Sequence, residues 1–476
     1  MAGIGFVLRK LYKQDNLSGL FRASVHSAFA ATGPWIFTVV ALGILTLIGR
    51  NIVSAAVLFD FRIILIYNFS FSLVISGPVF MIATRYLADS IHKRDVTSAP
   101  GMLIGALILL WGIDIVIAGS FYFLYANLPF AMAISAVINF LLLSAVWLIG
   151  IFISALKNYQ LITRAFIYGM LVAVASCLGL ARHYGAVGML NGFSVGASVI
   201  IALLAANVLA EYPSPVEQPF AFIGYFRKYW EIALSGLVYN MAVWIDKWIM
   251  WFAPEAIKTG SGLVVYPAYD SAMFIAYLTM VPAMAMFIFN AETHFFERYM
   301  KFYREIEGRV NFTRIQKNHQ AIIRSIFGSA GYFFLLQGAI TLICVIMAPE
   351  IIDFIRGNYM QVGILRYGLF GALFNVMALF LLILLSYFDC RRTNLSIQLV
   401  FLLSNALFTI ISMRAGFQYY GYGYFIASLI TFILAAIAVT KHMMRLPYHT
   451  FITNNASIRI MNFPPAKQES NAGGSW

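Results

Sequence analysis

Long apolar runs recur along the whole chain, separated by short clusters of charged or turn-forming residues. A run of about 18 or more apolar residues crosses a bilayer as a helix, the form that satisfies every backbone polar group within its own segment. A soluble fold cannot accommodate many such runs, because each needs an apolar surrounding on all sides. Of 476 residues, 61% are hydrophobic and 11% charged, and the mean hydropathy is +0.82. Soluble domains carry about 25% charged residues. Too little polar surface is available to solvate a chain of this size, so the sequence specifies a polytopic, all-α membrane protein.

The runs predict twelve transmembrane helices near residues 23–49, 62–88, 100–125, 128–156, 161–181, 187–210, 229–252, 267–291, 322–348, 363–389, 394–413 and 421–442. The expected organisation is an interfacial, amphipathic N-terminal segment (1–22), a six-helix lobe (23–210), a cytoplasmic linker (211–228), and a second six-helix lobe (229–442). The second lobe carries a long cytoplasmic loop (292–321), and a polar, partly disordered tail (443–476) follows it. With the N-terminus placed in the cytoplasm, 24 of the 32 Lys and Arg residues fall on the cytoplasmic side. The exceptions are Arg50, Arg62, Arg182, Lys258, Arg356, Arg366 and Arg414, with Lys247 inside a span. That asymmetry predicts cytoplasmic termini, and it explains the net charge of +13 by topology rather than by nucleic-acid binding. Phe6, Leu8, Leu11 and Tyr12, mixed with Arg9, Lys10 and Lys13, form an interfacial pattern and not a cleavable signal.

The two sets of six spans share features. "ATGPW" places Gly33-Pro34 in span one and "ISGPVF" places Gly77-Pro78 in span two; Gly236 in span seven and Pro282 in span eight follow at a nearly common offset. Matching Gly or Pro interruptions in two halves point to a transporter cavity, although both residues are common in membrane helices. The same stretches, "MAGIGFVLRKL", "ATGPW", "ISGPVF" with "TRYLAD", and "SGLVYNMAVWIDKW", resemble the PelG family of Pel exopolysaccharide exporters. The resemblance implies a bacterial inner-membrane flippase of the MOP superfamily, related to MATE exporters, with two six-helix lobes around a central cavity. It also implies a cargo rich in N-acetylgalactosamine and galactosamine, together with partner proteins. These are a cytosolic Pel glycosyltransferase and membrane-bound Pel proteins that include a cyclic-di-GMP receptor.

Asp246 and Lys247 lie side by side in "VYNMAVWIDKWIMWF". A charge at mid-bilayer costs about 2.5–3.5 kcal/mol on insertion scales. Neighbouring helix residues point about 100° apart, which makes the two poor direct partners and prevents both from facing lipid. Asp246 is expected to face inward, either binding a cation, a proton or cargo amines, or pairing with a base on another span. Lys247 is free to snorkel outward. Asp114, in "LLWGIDIVIAG" of span three, is the second candidate for ion coupling, with proton or sodium as the coupling ion and no cofactor or metal. Tyr239, Asn240, Asn375 and Tyr387 are candidate cargo contacts, against the alternative that they bond between helices.

In the long loop, Phe295, Tyr299, Phe302 and Ile306 recur at helical spacing among basic residues. That pattern fits a helix on the anionic inner leaflet, or a partner dock using Arg298, Tyr299, Arg304 and Arg309. The seven histidines all fall at span ends or in loops, and Cys177, Cys344 and Cys390 show no metal spacing, so an enzyme is not expected. The expected function is export of a Pel-type polysaccharide. The alternatives are a flippase or ion-coupled exporter of a small molecule or lipid-linked sugar, and a non-transporting scaffold for a glycosyltransferase.

Overall fold

The computed structural model describes residues 36–156, 159–290, 295–308 and 310–448. Gly33, Pro34, Arg309, the N-terminal segment and most of the tail lie outside the described residues. The rest is almost entirely helical. The N-terminal half contains α1 (Ile36–Gly49), α2 (Ala55–Lys93), α3 (Ala99–Ser120), α4 (Phe130–Leu156) and α5 (Tyr159–Glu211). The C-terminal half contains α6 (Trp230–Met250), α7 (Pro267–Leu278), α8 (Val281–Asn290), α9 (Phe296–Glu307), α10 (Phe312–Ile346), α11 (Gln361–Tyr387), α12 (Arg391–Ala415) and α13 (Tyr422–Met444). Among the described residues, nine helices are long and apolar enough to cross a membrane; α1 is apolar but shorter, and α6 is not among the nine.

Local chemistry sets several boundaries. Ser54 caps α2 by accepting from the Val57 amide, and Arg94 closes that helix in a left-handed conformation. Proline occupies the first turn of α3 and of α7, where its missing N–H leaves no bond unmade. The predicted loop between spans five and six is reduced to one residue. Gly185 (φ 56°, ψ −132°) interrupts α5, and the two arms fold back on each other. Their approach requires glycine, since a Cβ on Gly192 would strike the Cys177 backbone and one on Gly196 the Gly169 carbonyl. The eighth span is broken into α7 and α8 at Thr279-Met280, two residues before Pro282, beside the interruption that proline suggested. By contrast α2 continues as helix through Pro78.

Buried polar side chains tie the N-terminal half together. Asn68 of α2 donates to the Ala136 carbonyl (3.0 Å) and to Asn139 Oδ1 (2.9 Å) of α4, while accepting from Tyr122 (2.7 Å). Asn139 in turn donates to Ser194 of α5 at 3.1 Å. Amides used in this way join helices that hydrophobic burial alone cannot hold together in lipid. The linker between the halves is docked: Glu217 and Pro219 lie against Gly101 and Gly105 of α3, so closely that neither glycine has room for a Cβ.

A second apolar cluster lies around α9. Phe295 and Phe302 pack with Ile315, Ile322 and Ile326 of α10 and with Leu381, Leu382 and Leu385 of α11. The apolar face of the amphipathic helix is therefore covered by the chain itself, where the sequence pattern suggested the leaflet. Tyr299 donates to the Tyr387 carbonyl (3.1 Å), and Arg298 to the Ala321 carbonyl (3.2 Å). Arg304 remains exposed.

Candidate functional site

The two halves meet along α2 and α6. At one end Tyr67 of α2 is stacked on Trp251 (centroids 4.6 Å apart, planes at 21°), and one turn on Phe71 is stacked on Trp248 (4.6 Å, 8°). Tyr67 also donates to the Val264 carbonyl at 2.8 Å and accepts from the Val264 amide at 3.1 Å. Val264 belongs to a short hairpin, β1 (Ile257–Lys258) and β2 (Val264–Val265). Offset aromatic pairs of this kind contribute about 0.5–1.5 kcal/mol beyond the area they bury.

Midway, the helices touch backbone to backbone. A Cβ built on Gly77 would lie 2.7 Å from the Gly236 carbonyl oxygen, and one on Gly236 would lie 2.6 Å from the Gly77 carbonyl oxygen. Beside this crossing, Asn240 donates to the Leu73 carbonyl at 3.1 Å. Pro78 has no N–H to offer the Val74 carbonyl one turn earlier, and the Asn240 bond falls on the neighbouring carbonyl, that of Leu73. The sequence reading set Gly236 against Gly33 and Gly77-Pro78 against Pro282 as equivalent positions. In space Gly77 and Gly236 are partners across the seam.

At the far end the contact becomes ionic. The Tyr229 ring lies between Arg85 of α2 (4.9 Å) and Arg391 of α12 (4.6 Å). Tyr229 donates to Asp89 (3.4 Å), and Arg85 reaches Asp89 (3.3 Å) and Asp389 (4.0 Å). Arg392 pairs with Glu231 at 3.4 Å. Such exposed pairs hold little energy singly, and their value here is in bridging the two halves.

The seam is thus closed from end to end. Among the described residues, α2 and α6 leave no opening between them at these three places. Two hollows lie elsewhere, an apolar cleft around Phe287, Ser329, Phe333 and Phe380 within the C-terminal half, and a small one at Asp60, Leu128 and Ser261. Neither contains Asp114 or Asp246.

Asp246 and Lys247 do pair with each other, contrary to the expectation from their helical angles. The four-carbon Lys247 stem curls back so that Nζ lies 3.0 and 3.1 Å from the two Asp246 oxygens and 3.0 Å from the Val243 carbonyl. Asp246 is fully buried and Lys247 nearly so. Lys247 therefore does not snorkel. Its ammonium faces the Tyr277 ring at 4.5 Å and the Tyr424 ring at 5.5 Å, and Tyr269 donates to Asp246 Oδ2 at 3.0 Å. Asp270, which sequence reasoning missed, lies close to this cluster and accepts from Trp251 Nε1 at 3.0 Å. Trp251 therefore connects the buried charges to the aromatic end of the seam.

The other candidates disperse. Asn375 donates to Tyr424 at 3.0 Å, inside the C-terminal half. Tyr239 and Tyr387 pack beside the α9 cluster. Asp114 is far from the seam contacts. It is fully buried on α3 with the Ser144 hydroxyl of α4 beside it, a contact that falls short of good hydrogen-bond geometry and leaves the carboxylate poorly satisfied. Replacing a poorly satisfied buried polar group by an apolar one removes a desolvation penalty. Asp114→Leu is accordingly expected to melt at or above the wild-type temperature in detergent. A lower melting temperature would mean that the carboxyl holds α3 and α4 together.

An enzymatic dyad also fails. Cys390 Sγ lies 3.3 Å from His442 Nδ1, but burial and the neighbouring Asp389 push its thiol up to about 11, well away from nucleophilic use at neutral pH. Among the described residues no cluster of His, Cys, Asp and Glu is arranged to hold a metal ion.

The helix arrangement is that of a multidrug-exporter (MATE) fold. A MATE transporter crystallised with MaD5 matches with a TM-score of 0.62 at 14% identity, covering 89% of this chain and 95% of that one. A MATE transporter of Vibrio cholerae, VcmN, matches with a TM-score of 0.59 at 12% identity, covering 92% and 98%. A MOP-superfamily transporter from Pyrococcus furiosus, described as having a binding pocket of reversed polarity, matches with a TM-score of 0.54 at 12% identity, covering 93% and 94%. These likenesses define the class: a multi-pass membrane protein with a MATE/MOP transporter fold. Residues 1–451 match the family model described as "PelG: Putative exopolysaccharide Exporter (EPS-E)", and the chain belongs to that family. No curated protein matches it at a significant level.

Proposed function

We propose that this protein moves a Pel-type polysaccharide, rich in N-acetylgalactosamine and galactosamine, from the cytoplasm to the periplasm across the bacterial inner membrane. The observation that carries this reading is family membership over residues 1–451, joined to a transporter fold whose halves meet along one seam. The seam parts during transport, and its aromatic and polar faces then line the path. The Arg85–Tyr229–Arg391 end faces the cytoplasm, in keeping with the basic residues gathered there. Twelve spans result when the hairpin at Gly185 is counted as two crossings and α1 and α6 are added to the nine apolar helices.

In this reading the protein works in a complex with a cytosolic glycosyltransferase and membrane-bound partners, and polymer synthesis contributes to the drive. Arg298 and Arg304, exposed on α9, belong to the surface that docks the partner. The test is polymer location. Cells lacking the protein should accumulate the amino-sugar polymer, or stop making it, while secreting none; restoring the gene should restore secretion. Undiminished extracellular polymer without the protein would reject the proposal, and the glycosyltransferase-scaffold reading with it, in favour of a small-molecule exporter.

A further inference from the structure

The Lys247 ammonium sits in an oxygen cage. Its four polar neighbours are the two Asp246 oxygens, the Val243 carbonyl at 3.0 Å and the Tyr277 hydroxyl at 3.3 Å. A carboxylate, a backbone carbonyl and a neutral hydroxyl are the donors that hold hard cations. The Tyr277 and Tyr424 rings add faces that attract positive charge. The cage is assembled from two helices, α6 and α7, with the α13 ring as its lid, and Tyr269 fixes the carboxylate by donating to Oδ2 at 3.0 Å. Asp270 is the other acid beside it and is held by Trp251.

An ammonium supplies three donors to such a cage and no acceptor, so every contact around Nζ is of matching sign. The carboxylate carries one negative charge and the ammonium one positive charge. The pair is therefore neutral, and the adjacent Asp270 carboxyl is engaged by the Trp251 indole at 3.0 Å.

We propose that Val243, Asp246 and Tyr277 form a monovalent-cation site whose permanent occupant is the Lys247 ammonium, so that the C-terminal half carries a tethered cation in place of an exchangeable one. This rests on the transporter reading only for its consequence: the C-terminal half cycles without taking up sodium. The cage itself is tested without cargo. A ligand that binds only the folded state raises its melting temperature by mass action, and an occupied site gives no such response.

The experiment measures thermal unfolding of the purified full chain in detergent, at equal ionic strength, in choline, sodium, potassium, ammonium or methylammonium chloride. The wild type should melt at one temperature in all five. Lys247→Ala empties the cage and leaves the carboxylate unpaired, so in choline it should melt about 5–10 °C lower. Ammonium, methylammonium or an alkali cation should restore most of the loss saturably, and adding Asp246→Asn should abolish the restoration.

A wild type stabilised saturably by one of these cations, with the effect removed by Asp246→Asn, would overturn the proposal. A folded Lys247→Ala chain without cation-specific recovery would overturn it as well. If Lys247→Ala does not fold in choline, purification in ammonium chloride supplies the same comparison: folded protein that unfolds on exchange into choline supports the site, and failure to fold in every cation counts against it. Undiminished polymer secretion from cells lacking the protein, with these melting responses intact, would reject the transporter reading and leave the cage standing.

Discussion

Asp246→Ala is expected to be the most damaging single substitution in the membrane region. It leaves the Lys247 ammonium among Tyr277, Tyr424 and the Val243 carbonyl with no counter-charge. Removing one member of a buried ion pair costs about 3–5 kcal/mol, whereas replacing both members by neutral groups of similar volume is close to neutral. The single variant should lose most of its steady-state level in the membrane. The double variant Asp246→Asn, Lys247→Met should regain it. Membrane immunoblots and detergent melting curves check both, and a single variant as stable as wild type would mean that the pair does not form. Secretion by the stable double variant then separates roles: polymer export near the wild-type rate assigns the pair to architecture, and its loss assigns the charges to transport.

This pair marks where sequence reasoning reached and where it stopped. Two charges in an apolar run are too expensive to face lipid together, so the inward placement of Asp246 was legible, whereas Lys247 was expected to snorkel and is buried as well. Their bonding to each other was not, because the angular argument treats side chains as spokes and ignores the flexible lysine stem. Asp270 escaped notice for a related reason. It falls in the first turn of a helix opened by Pro267, where an acid is ordinarily explained by the helix dipole. The signal available was its proximity in the sequence to Trp251, whose indole needs an acceptor when buried. The apolar runs located the membrane-crossing part of the helices, since bilayer thickness sets the length of such a run, but α2 (39 residues) and α10 (35 residues) extend beyond it and begin well before the predicted spans. Pairing across the halves is a tertiary property, and periodicity carries no record that Gly77 would meet Gly236.

The second large effect is expected at that crossing. A valine at Gly77 places its Cβ 2.7 Å from the Gly236 carbonyl oxygen and 3.1 Å from Asn240 Nδ2. Backbone cannot rotate away, so α2 and α6 must separate. Overpacking a close contact costs about 1–3 kcal/mol, and 1.4 kcal/mol is tenfold in an equilibrium. Gly77→Val should shift the balance from closed to parted seam by about tenfold. The readout is labelling of a cysteine introduced as Trp248→Cys by a water-soluble maleimide, in a chain whose Cys177, Cys344 and Cys390 are replaced by serine. Labelling should be faster with Gly77→Val than without it; equal rates would show that the glycine contact does not hold the seam shut.

The helices that carry this contact also carry the stacks above it and the guanidinium–tyrosine bridge below it. One rigid seam thus joins the two ends, and opening anywhere along it requires the halves to move as bodies. The central claim is that polymer passes only when the halves part along α2 and α6. The direct measurement is secretion from cells whose cysteine-substituted chain carries Phe71→Cys and Trp248→Cys, bridged by a short, reductant-cleavable bis-thiol reagent. The account predicts that bridging stops secretion and that cleavage restores it. Full bridging with secretion at the unbridged rate would contradict it.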